Sequence, residues 1–193
     1  MPRINSSFAA ILDACVLYPA PLRDLLLELA RTGLYRARWT ARIHEEWMAA
    51  VRRSRPDIPS EAIERTRQFM DLHAEHCVIT GFEPLVAGLE LPDPDDRHVL
   101  AAAILGRVDA IITFNKADFP DDVLARLGIE AIHPDDFLTY QIDLDRTAVV
   151  TAARRVRARL KSPPRTAREY LDTLIKQSLP ATASLLEFDI DSV

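Results

Sequence analysis

The feature that most limits the fold of this chain is a set of short apolar segments separated by helical patterns. Residues 8–12 are apolar throughout instead of alternating, which predicts a strand buried on both faces. Further strands are predicted at residues 35–39, 77–80, 109–113 and 129–132. Because strand–helix–strand crossovers are right-handed and lie on the face of a sheet, the alternation predicts an α/β fold. Its sheet should be mainly parallel, with helices on both faces.

Amphipathic helices are predicted between these strands, and punctuating residues mark where two of them begin. Pro21 suits the first turn of a helix over residues 21–31, and Thr40 is a suitable N-cap for a helix over residues 41–53. The other predicted helices cover residues 60–75, 95–106, 120–127, 147–160 and 166–177, and one more opens at Pro134. The alternation with strands ends near Tyr140. Residues 1–140 are therefore predicted to form one domain, and residues 141–193 a C-terminal helical extension that packs on the core or on a partner.

The composition favours a globular protein with a core, since 48% of the residues are hydrophobic. No apolar stretch approaches the roughly 18 residues of a membrane span. The apolar run at the N-terminus is short and is interrupted by Asp13, unlike a signal peptide. We therefore expect a cytoplasmic protein. Cys15 and Cys77 are far apart and form neither a disulfide framework nor a zinc motif, so both are expected to be small buried residues.

Charge is distributed unevenly along the chain. The net charge of −5 argues against a protein that grips nucleic acid over a wide surface. Arginines nevertheless cluster within residues 31–55 and again within residues 154–168. Basic clusters around an acidic pocket are compatible with an RNA substrate, and they are also compatible with solvated helix faces.

Acidic and amide side chains stand where a parallel sheet would bring them together. The candidate site residues are Asp13, Glu46, Asp96, Asn115 and Asp118. Asp13 and Asn115 follow apolar strands, and open parallel sheets bind ligands outside the carboxyl ends of their strands. Asp96 opens a helix that leads to the next strand, which places it at the same edge. Glu46 must face inward from its helix, whereas Glu45 points about 100° away and is expected in solvent.

Clustered carboxylates suggest a particular chemistry. Mg²⁺ and Mn²⁺ prefer oxygen ligands, and such ions polarise phosphodiesters and generate hydroxide near neutral pH. The predicted pocket suits one or two of these ions and the hydrolysis of a phosphodiester. His98 is expected at the surface or in support of a ligand, and His44 on the surface of its helix.

Four stretches of the chain resemble motifs of the PIN domain family, and within it the toxin ribonucleases of VapBC-type toxin–antitoxin pairs. The stretch Leu12-Asp13-Ala14-Cys15-Val16-Leu17 is similar to the family's opening D-x-N-V-L segment, with Cys15 in place of Asn. Residues 40–46 resemble its S/T-x5-E helix start, which selects Glu46. Residues 93–103 resemble its D-P-x-D segment, with Asp96 as the acid. Residues 113–120 resemble a variant of its T-x-D-x-D-[LF] segment.

This resemblance implies a three-layer α/β/α sandwich that cleaves RNA with Mg²⁺ or Mn²⁺. Asp13, Glu46, Asp96 and Asp118 would hold the metal. The chain departs from many family members at Asn115, whose amide adds no charge, so Asn115 is expected to position water or phosphate and Asp118 to compensate. The resemblance also implies a small antitoxin as partner and a possible homodimer.

Two other readings use the same residues. A PIN fold with weakened catalysis could serve as a module that binds RNA or protein, and the missing acid at Asn115 supports that alternative. A phosphatase of the haloacid dehalogenase type also carries an Asp after its first strand. That chemistry needs a second Asp two positions later, where this chain has Cys15.

Overall fold

A four-stranded sheet forms the centre of the computed structural model, which describes residues 8–73, 76–161 and 163–193. The strands are β1 Ala9–Leu12, β2 Arg36–Arg38, β3 Ala110–Ile112 and β4 Glu130–Ile132. Their order is β2-β1-β3-β4, and every neighbouring pair is parallel. The register places Ile11 of β1 between Arg38 and Ile111. The predicted parallel sheet is confirmed.

Helices make up most of the remaining described chain. In chain order they are α1 Ala14–Leu17, α2 Ala20–Ala30, α3 Ala41–Ser54, α4 Ser60–His73, α5 Glu83–Val86, α6 Arg97–Leu105, α7 Asp121–Ala125, α8 Pro134–Leu144, α9 Arg146–Arg159, α10 Ala167–Lys176 and α11 Pro180–Glu187. Thr40 caps α3 as predicted, because its hydroxyl accepts the Ile43 N–H at 3.1 Å. The sequence patterns did not reveal α1, α5 or α11, which are short and leave little room for a helical period.

The helices cover both faces of the sheet. Successive residues of a strand point to opposite faces, yet each residue of β1 is at most 1% exposed. The residues of β3 are fully buried as well. The three-layer α/β/α arrangement expected from the sequence is therefore confirmed.

One predicted strand is wrong. Residues 77–80 form only an isolated parallel bridge, between Val78 and Trp39, just beyond the end of β2. Trp39 donates its N–H to the Cys77 carbonyl at 3.0 Å and accepts the Ile79 N–H at 2.8 Å. The pairing stops there because Thr40, the next residue after Trp39, already caps α3. Residues 77–80 therefore lie at the edge of the sheet, but the chain at the end of β2 is too short to pair with all of them.

The C-terminal helices pack on the sheet domain through ionic and polar contacts as well as apolar ones. Helix α9 packs against α2, and both α9 and α11 pack against α8. Glu28 of α2 is 2% exposed and receives Arg155 at 3.3 Å and Arg159 at 2.9 Å, both from α9. Arg31 approaches the same carboxylate at 3.4 Å. Two arginines of the basic helix therefore reach a buried acid while their side chains stay largely exposed to solvent.

A second buried acid ties the last helix to α8. Asp135 is 6% exposed, and its carboxylate accepts the backbone N–H groups of Ala181 at 2.9 Å and Thr182 at 2.8 Å. It also accepts the Thr182 hydroxyl at 2.6 Å. Asp135 thus supplies acceptors to the first turn of α11, where backbone N–H groups lack partners within the helix.

The predicted domain boundary after Tyr140 falls within α8, and the division into two domains stays a prediction. Among the helices that the structure describes, none is long and apolar enough to cross a membrane.

Candidate active site

The candidate site lies at the carboxyl edge of the sheet, between β1 and β3. Asp13 follows β1, and its N–H donates to the Ile112 carbonyl of β3 at 3.1 Å. The strand order reverses at β1, because β2 lies on one side of it and β3 on the other. Such a switch point leaves a crevice outside the carboxyl ends of the strands, where ligands of open parallel sheets bind.

Asp13 is the most buried of the predicted site acids, and its carboxylate is fully oriented. Oδ1 accepts the Ala14 N–H at 2.6 Å. Oδ2 accepts the Thr113 hydroxyl at 2.7 Å and the Cys15 thiol at 3.1 Å. With 5% of Asp13 exposed, these donors replace water that a buried carboxylate would otherwise need. Asp13 is therefore held in one position.

Asp96 lies close enough to the other acids for their charges to contribute to its raised pKa. It ends a 3₁₀ turn, Pro94–Asp96, and precedes α6. Asp93 starts that turn, because its side chain accepts the Asp95 N–H at 2.8 Å. Burial, together with the charges of Asp13, Asp118 and Asp93, raises the pKa of Asp96 to about 7. Like charges that crowd one carboxyl in this way favour either a proton or a cation at the site.

Glu46 faces the helix that carries Asp96. Its Oε1 lies 2.9 Å from His98 Nε2 on α6 and accepts Arg42 Nε at 3.1 Å. Burial raises the pKa of Glu46, but these two hydrogen bonds and their charges outweigh burial and hold it below its usual range. Glu45 is exposed and lines a cavity of about 560 Å³ together with His44 and Asp71, away from His98. The structure thus directs Glu46, not Glu45, toward α6.

Asn115 and Asp118 lie in the loop after β3. Asn115 precedes a 3₁₀ turn, Lys116–Asp118, and its side chain is exposed. Its backbone N–H donates to the Thr113 hydroxyl at 3.0 Å. Asp118 is partly buried and contributes to the raised pKa of Asp96. The loop therefore brings an acid toward Asp96 and leaves an amide at the rim.

Sequence reasoning underestimated two side chains at this edge, Cys15 and Thr113, and for His98 it left open whether the side chain lies at the surface or supports a site residue. His98 is 1% exposed and bonds Glu46, so it supports a site residue and does not lie at the surface. Thr113 and Cys15 both contact Asp13. Burial, followed by the Asp13 charge, raises the pKa of the Cys15 thiol to about 12. The available signal in the sequence was that Cys15 and Thr113 follow shortly after β1 and β3, the strands that flank the crevice.

The expectation for His44 was wrong. His44 is 2% exposed, its Nε2 lies 2.9 Å from Asp71 Oδ1, and its Nδ1 accepts Trp47 Nε1 at 2.8 Å. Trp39 Nε1 donates to the same Asp71 oxygen at 2.8 Å. These bonds join the end of β2 to α3 and α4, so both ring nitrogens of His44 serve packing. A single histidine that precedes Glu45 and Glu46 gave no sign of this in the sequence.

The oxygen donors at the edge have the chemistry that a hard divalent cation requires. Asp13 and Asp118 are carboxylates whose charges add to burial in raising the pKa of Asp96, and a cation would relieve that repulsion. Among the described residues, no three His, Cys, Asp or Glu side chains converge closely enough to hold an ion as they stand. Glu46 would have to turn from Arg42 and His98 to join the others. The predicted ligand set of Asp13, Glu46, Asp96 and Asp118 stays a prediction.

The fold agrees with comparisons with known families. The model of the PIN domain matches residues 9–117, so the chain belongs to the PIN domain family. The model of the VapC50 C-terminal domain matches residues 134–187, which include all of α8, α9, α10 and α11. The resemblance proposed from the sequence motifs is confirmed.

A curated protein of Mycobacterium tuberculosis (strain ATCC 25618 / H37Rv) carries this similarity further. It is named "Putative ribonuclease VapC50" and is 40% identical to this chain over 97 residues. The match covers 50% of this chain and 57% of that protein, so the chain spans little more than half the length of its relative. Comparison with solved structures finds no match.

Proposed function

We propose that this protein is a metal-dependent endoribonuclease and the toxin of a type II toxin–antitoxin pair. The observation that carries the proposal is the crowding of carboxylates at the switch point of the sheet. There burial, together with the charges of Asp13, Asp118 and Asp93, raises the pKa of Asp96 to about 7. The name of the relative as a ribonuclease and its membership of the VapC group support the choice of RNA.

The residues of the chain divide the work in this proposal. Mg²⁺ or Mn²⁺ bound by the carboxylates supplies Lewis acidity and lowers the pKa of a bound water. Asp13 is a fixed ligand because it has three donors already in place. Asp96 loses its proton when it joins the site, which makes metal binding stronger as the pH rises through about 7. Asn115, exposed at the rim, presents an amide to water or phosphate.

The proposed partners follow from the same reading. The substrate is cellular RNA, the inhibitor is a cognate antitoxin protein, and the protein acts in the cytoplasm, with a homodimer as one possible assembly. Arg154, which is exposed on α9, is the arginine of that helix best placed to meet phosphate. Arg155 and Arg159 are already engaged by Glu28.

The proposal is tested by cleavage of structured RNA by the purified protein. Cleavage should require Mn²⁺ or Mg²⁺, stop on addition of EDTA and return when the metal is restored. Single-stranded DNA of the same sequence is the substrate control. Absence of metal-dependent cleavage with every RNA class tried, at protein concentrations where the fold is intact, would contradict the proposal.

Glu46 provides a sharper test because its neighbour is a matched control. Glu46→Gln should lower kcat by about 10- to 100-fold, since the lost charge weakens a metal ligand. Glu45→Gln should stay near the wild-type rate, because Glu45 lines a different cavity. Equal losses in the two variants would show that the inward face of α3 is assigned wrongly.

A PIN fold that binds RNA or protein without cutting it is the second candidate. It is favoured by Asn115, which replaces an acid of the family motif, and by the hydrogen bonds of Glu46 to Arg42 and His98. Such a protein would bind RNA with unchanged affinity in the presence of EDTA and would release no cleaved product with Mn²⁺.

A further inference from the structure

Two parallel hydrogen-bonded relays connect Asp13 to the loop after β3. In one relay the Asn115 N–H donates to the Thr113 hydroxyl at 3.0 Å, and that hydroxyl donates to Asp13 Oδ2 at 2.7 Å. In the other, the Phe114 N–H donates to Cys15 Sγ at 3.3 Å, and the thiol donates to the same Oδ2 at 3.1 Å. The two middle atoms, Cys15 Sγ and Thr113 Oγ1, lie 3.4 Å apart.

We propose that Cys15 is a positioning residue that joins the Asp13 carboxylate to the loop bearing Asn115 and Asp118. This inference rests on the proposed function. It assigns to Cys15 the same task as Thr113. Cys15 accepts the N–H of Phe114, which precedes Asn115, the residue whose N–H Thr113 accepts. Each side chain accepts one backbone N–H of the loop and donates to one oxygen of Asp13. Together they set the distance between the acid after β1 and the acid after β3.

The loop needs such a tether because its own backbone gives little support. Asn115 has φ −97° and ψ 53°, outside regular helix and strand, and the following 3₁₀ turn has only three residues. Phe114 and Asn115 donate their N–H groups to side chains rather than to a neighbouring strand. The placement of Asp118 relative to Asp13 therefore depends on Cys15 and Thr113 in addition to the sheet ladder, which ends with the N–H groups of Asp13 and Thr113.

The identity of residue 15 matters because an apolar side chain cannot complete the relay. An apolar side chain at this position has no acceptor for the Phe114 N–H, which would then be unpaired in a partly buried position. It also has no donor, so Asp13 would lose one hydrogen bond. A hydroxyl of similar size keeps both bonds. Supporting side chains of this kind typically change metal affinity or activity by about 10- to 100-fold when removed.

The experiment compares Cys15→Ser, Cys15→Ala and Cys15→Val with the wild-type protein. Mn²⁺ affinity is measured without RNA, from the electron paramagnetic resonance signal of free Mn²⁺. Affinity for RNA is measured in EDTA, and kcat is measured at saturating RNA. Cys77→Ala is the control, because the Cys77 thiol donates to the Asp71 carbonyl of α4 at 3.9 Å and not to a predicted site acid.

We expect Cys15→Ala and Cys15→Val to weaken Mn²⁺ binding about 10-fold or more and to lower kcat, with RNA affinity in EDTA unchanged. Cys15→Ser should stay within about 2-fold of the wild type, and Cys77→Ala should match it. Wild-type Mn²⁺ affinity in Cys15→Ala and Cys15→Val would overturn the inference, as would a Cys15→Ser variant as impaired as Cys15→Ala.

One measurement needs no variant and guards against loss of folding. Amide hydrogen exchange at Phe114 in the metal-free wild-type protein should be slow, at a rate comparable to Asn115, because both N–H groups are tethered. Exchange at Phe114 as fast as in an open loop would overturn the relay.

Asp13→Asn separates this inference from the proposed function. If Asp13→Asn keeps full Mn²⁺-dependent cleavage, the proposed function fails. If Asp13→Asn is inactive while the apolar Cys15 variants bind Mn²⁺ normally, only the role of Cys15 fails.

Discussion

Buried acids occupy two regions of this molecule, and their surroundings differ. At the carboxyl edge of the sheet, Asp13, Asp96 and Asp118 crowd one another, and no basic side chain is among those that bond Asp13 in the described chain. We call these three residues the edge acids. Between the sheet domain and the C-terminal helices, Glu28 and Asp135 are each surrounded by donors. We call these two the docking acids.

The difference indicates that the two groups of carboxylates have different roles. Glu28 and Asp135 bind donors of α9 and α11, so they hold helices together, and removing either of them leaves those donors unpaired. Carboxylates that repel one another weaken the fold when they are ionised, so they are retained for what they bind. Burial alone does not separate the two groups, since Asp13 and Asp135 are 5% and 6% exposed.

The largest expected effect is on catalysis by the edge acids. Asp13→Asn and Asp96→Asn should each lower Mn²⁺-dependent RNA cleavage by about 10²- to 10³-fold or more, since each removes a charge that the transition state needs. Circular dichroism should show an intact fold in both variants. Cleavage at the wild-type rate by either purified variant would remove that residue from the site.

Next in size is the stability lost at a docking acid. Asp135→Ala removes the acceptor of two N–H groups and one hydroxyl at the start of α11 and should lower the free energy of unfolding by about 3 kcal/mol. Asp136→Ala is the matched control, because Asp136 is exposed. Urea unfolding measures both. A loss below about 1 kcal/mol for Asp135→Ala would erase the distinction between the two groups of acids.

A smaller loss is expected when the partners of Glu28 are removed. Arg155→Gln combined with Arg159→Gln leaves Glu28 with only Arg31 and should cost about 1 to 2 kcal/mol of stability. Arg154→Gln should leave stability unchanged but should reduce the salt dependence of RNA binding. RNA binding that makes one phosphate contact fewer releases fewer counterions. Unfolding curves and RNA titrations at several salt concentrations test the pair. The reverse pattern would mean that Arg155 and Arg159 contact RNA.

The smallest effect is a pH dependence that only an edge acid should show. The folded protein raises the pKa of Asp96 from 3.8 to about 7, so it holds a proton that the unfolded chain has released. Stability from this group therefore falls as the pH rises from about 4 to about 7 and then stays low.

In metal-free protein, Asp96→Asn should raise the stability at pH 8 by on the order of 1 kcal/mol, after allowance for the partial exposure of Asp96. That corresponds to a melting temperature higher by about 2 to 4 °C. At pH 4 the variant and the wild type should melt together. A rise of equal size at both pH values would point to a cause other than the charge of Asp96.

Local patterns in the sequence were enough to predict the sheet and the edge acids. The run at residues 8–12 is apolar at every position, and the strand it predicted is buried on both faces. Asp13 and Asn115 were found because they end such runs. The resemblance of residues 40–46 to the S/T-x5-E motif selected Glu46 over Glu45. These features depend on residues close together in the chain, which is why a single sequence reveals them.

The contacts that the sequence did not reveal join residues far apart in the chain. Asp135 and Thr182 are separated by 47 positions, and Arg155 and Glu28 by 127. A carboxylate in the first turn of a helix, such as Asp135, is ordinarily explained by the helix dipole alone. His44 failed for the same reason, because its partner Asp71 lies on another helix. Similarly, residues 77–80 have the composition of a strand but lack a partner of sufficient length.

The link from Asp135 to residues 181 and 182 also sets an order of events while the chain is being made. Asp135 leaves the ribosome well before its donors do, since they follow 46 and 47 residues later. At typical synthesis rates this interval lasts roughly 2 to 10 s. During that time the start of α8 carries a carboxylate that must stay in water, so α8 cannot settle in its final place. The packing of α8 against α11 is therefore completed only after α11 has been synthesised.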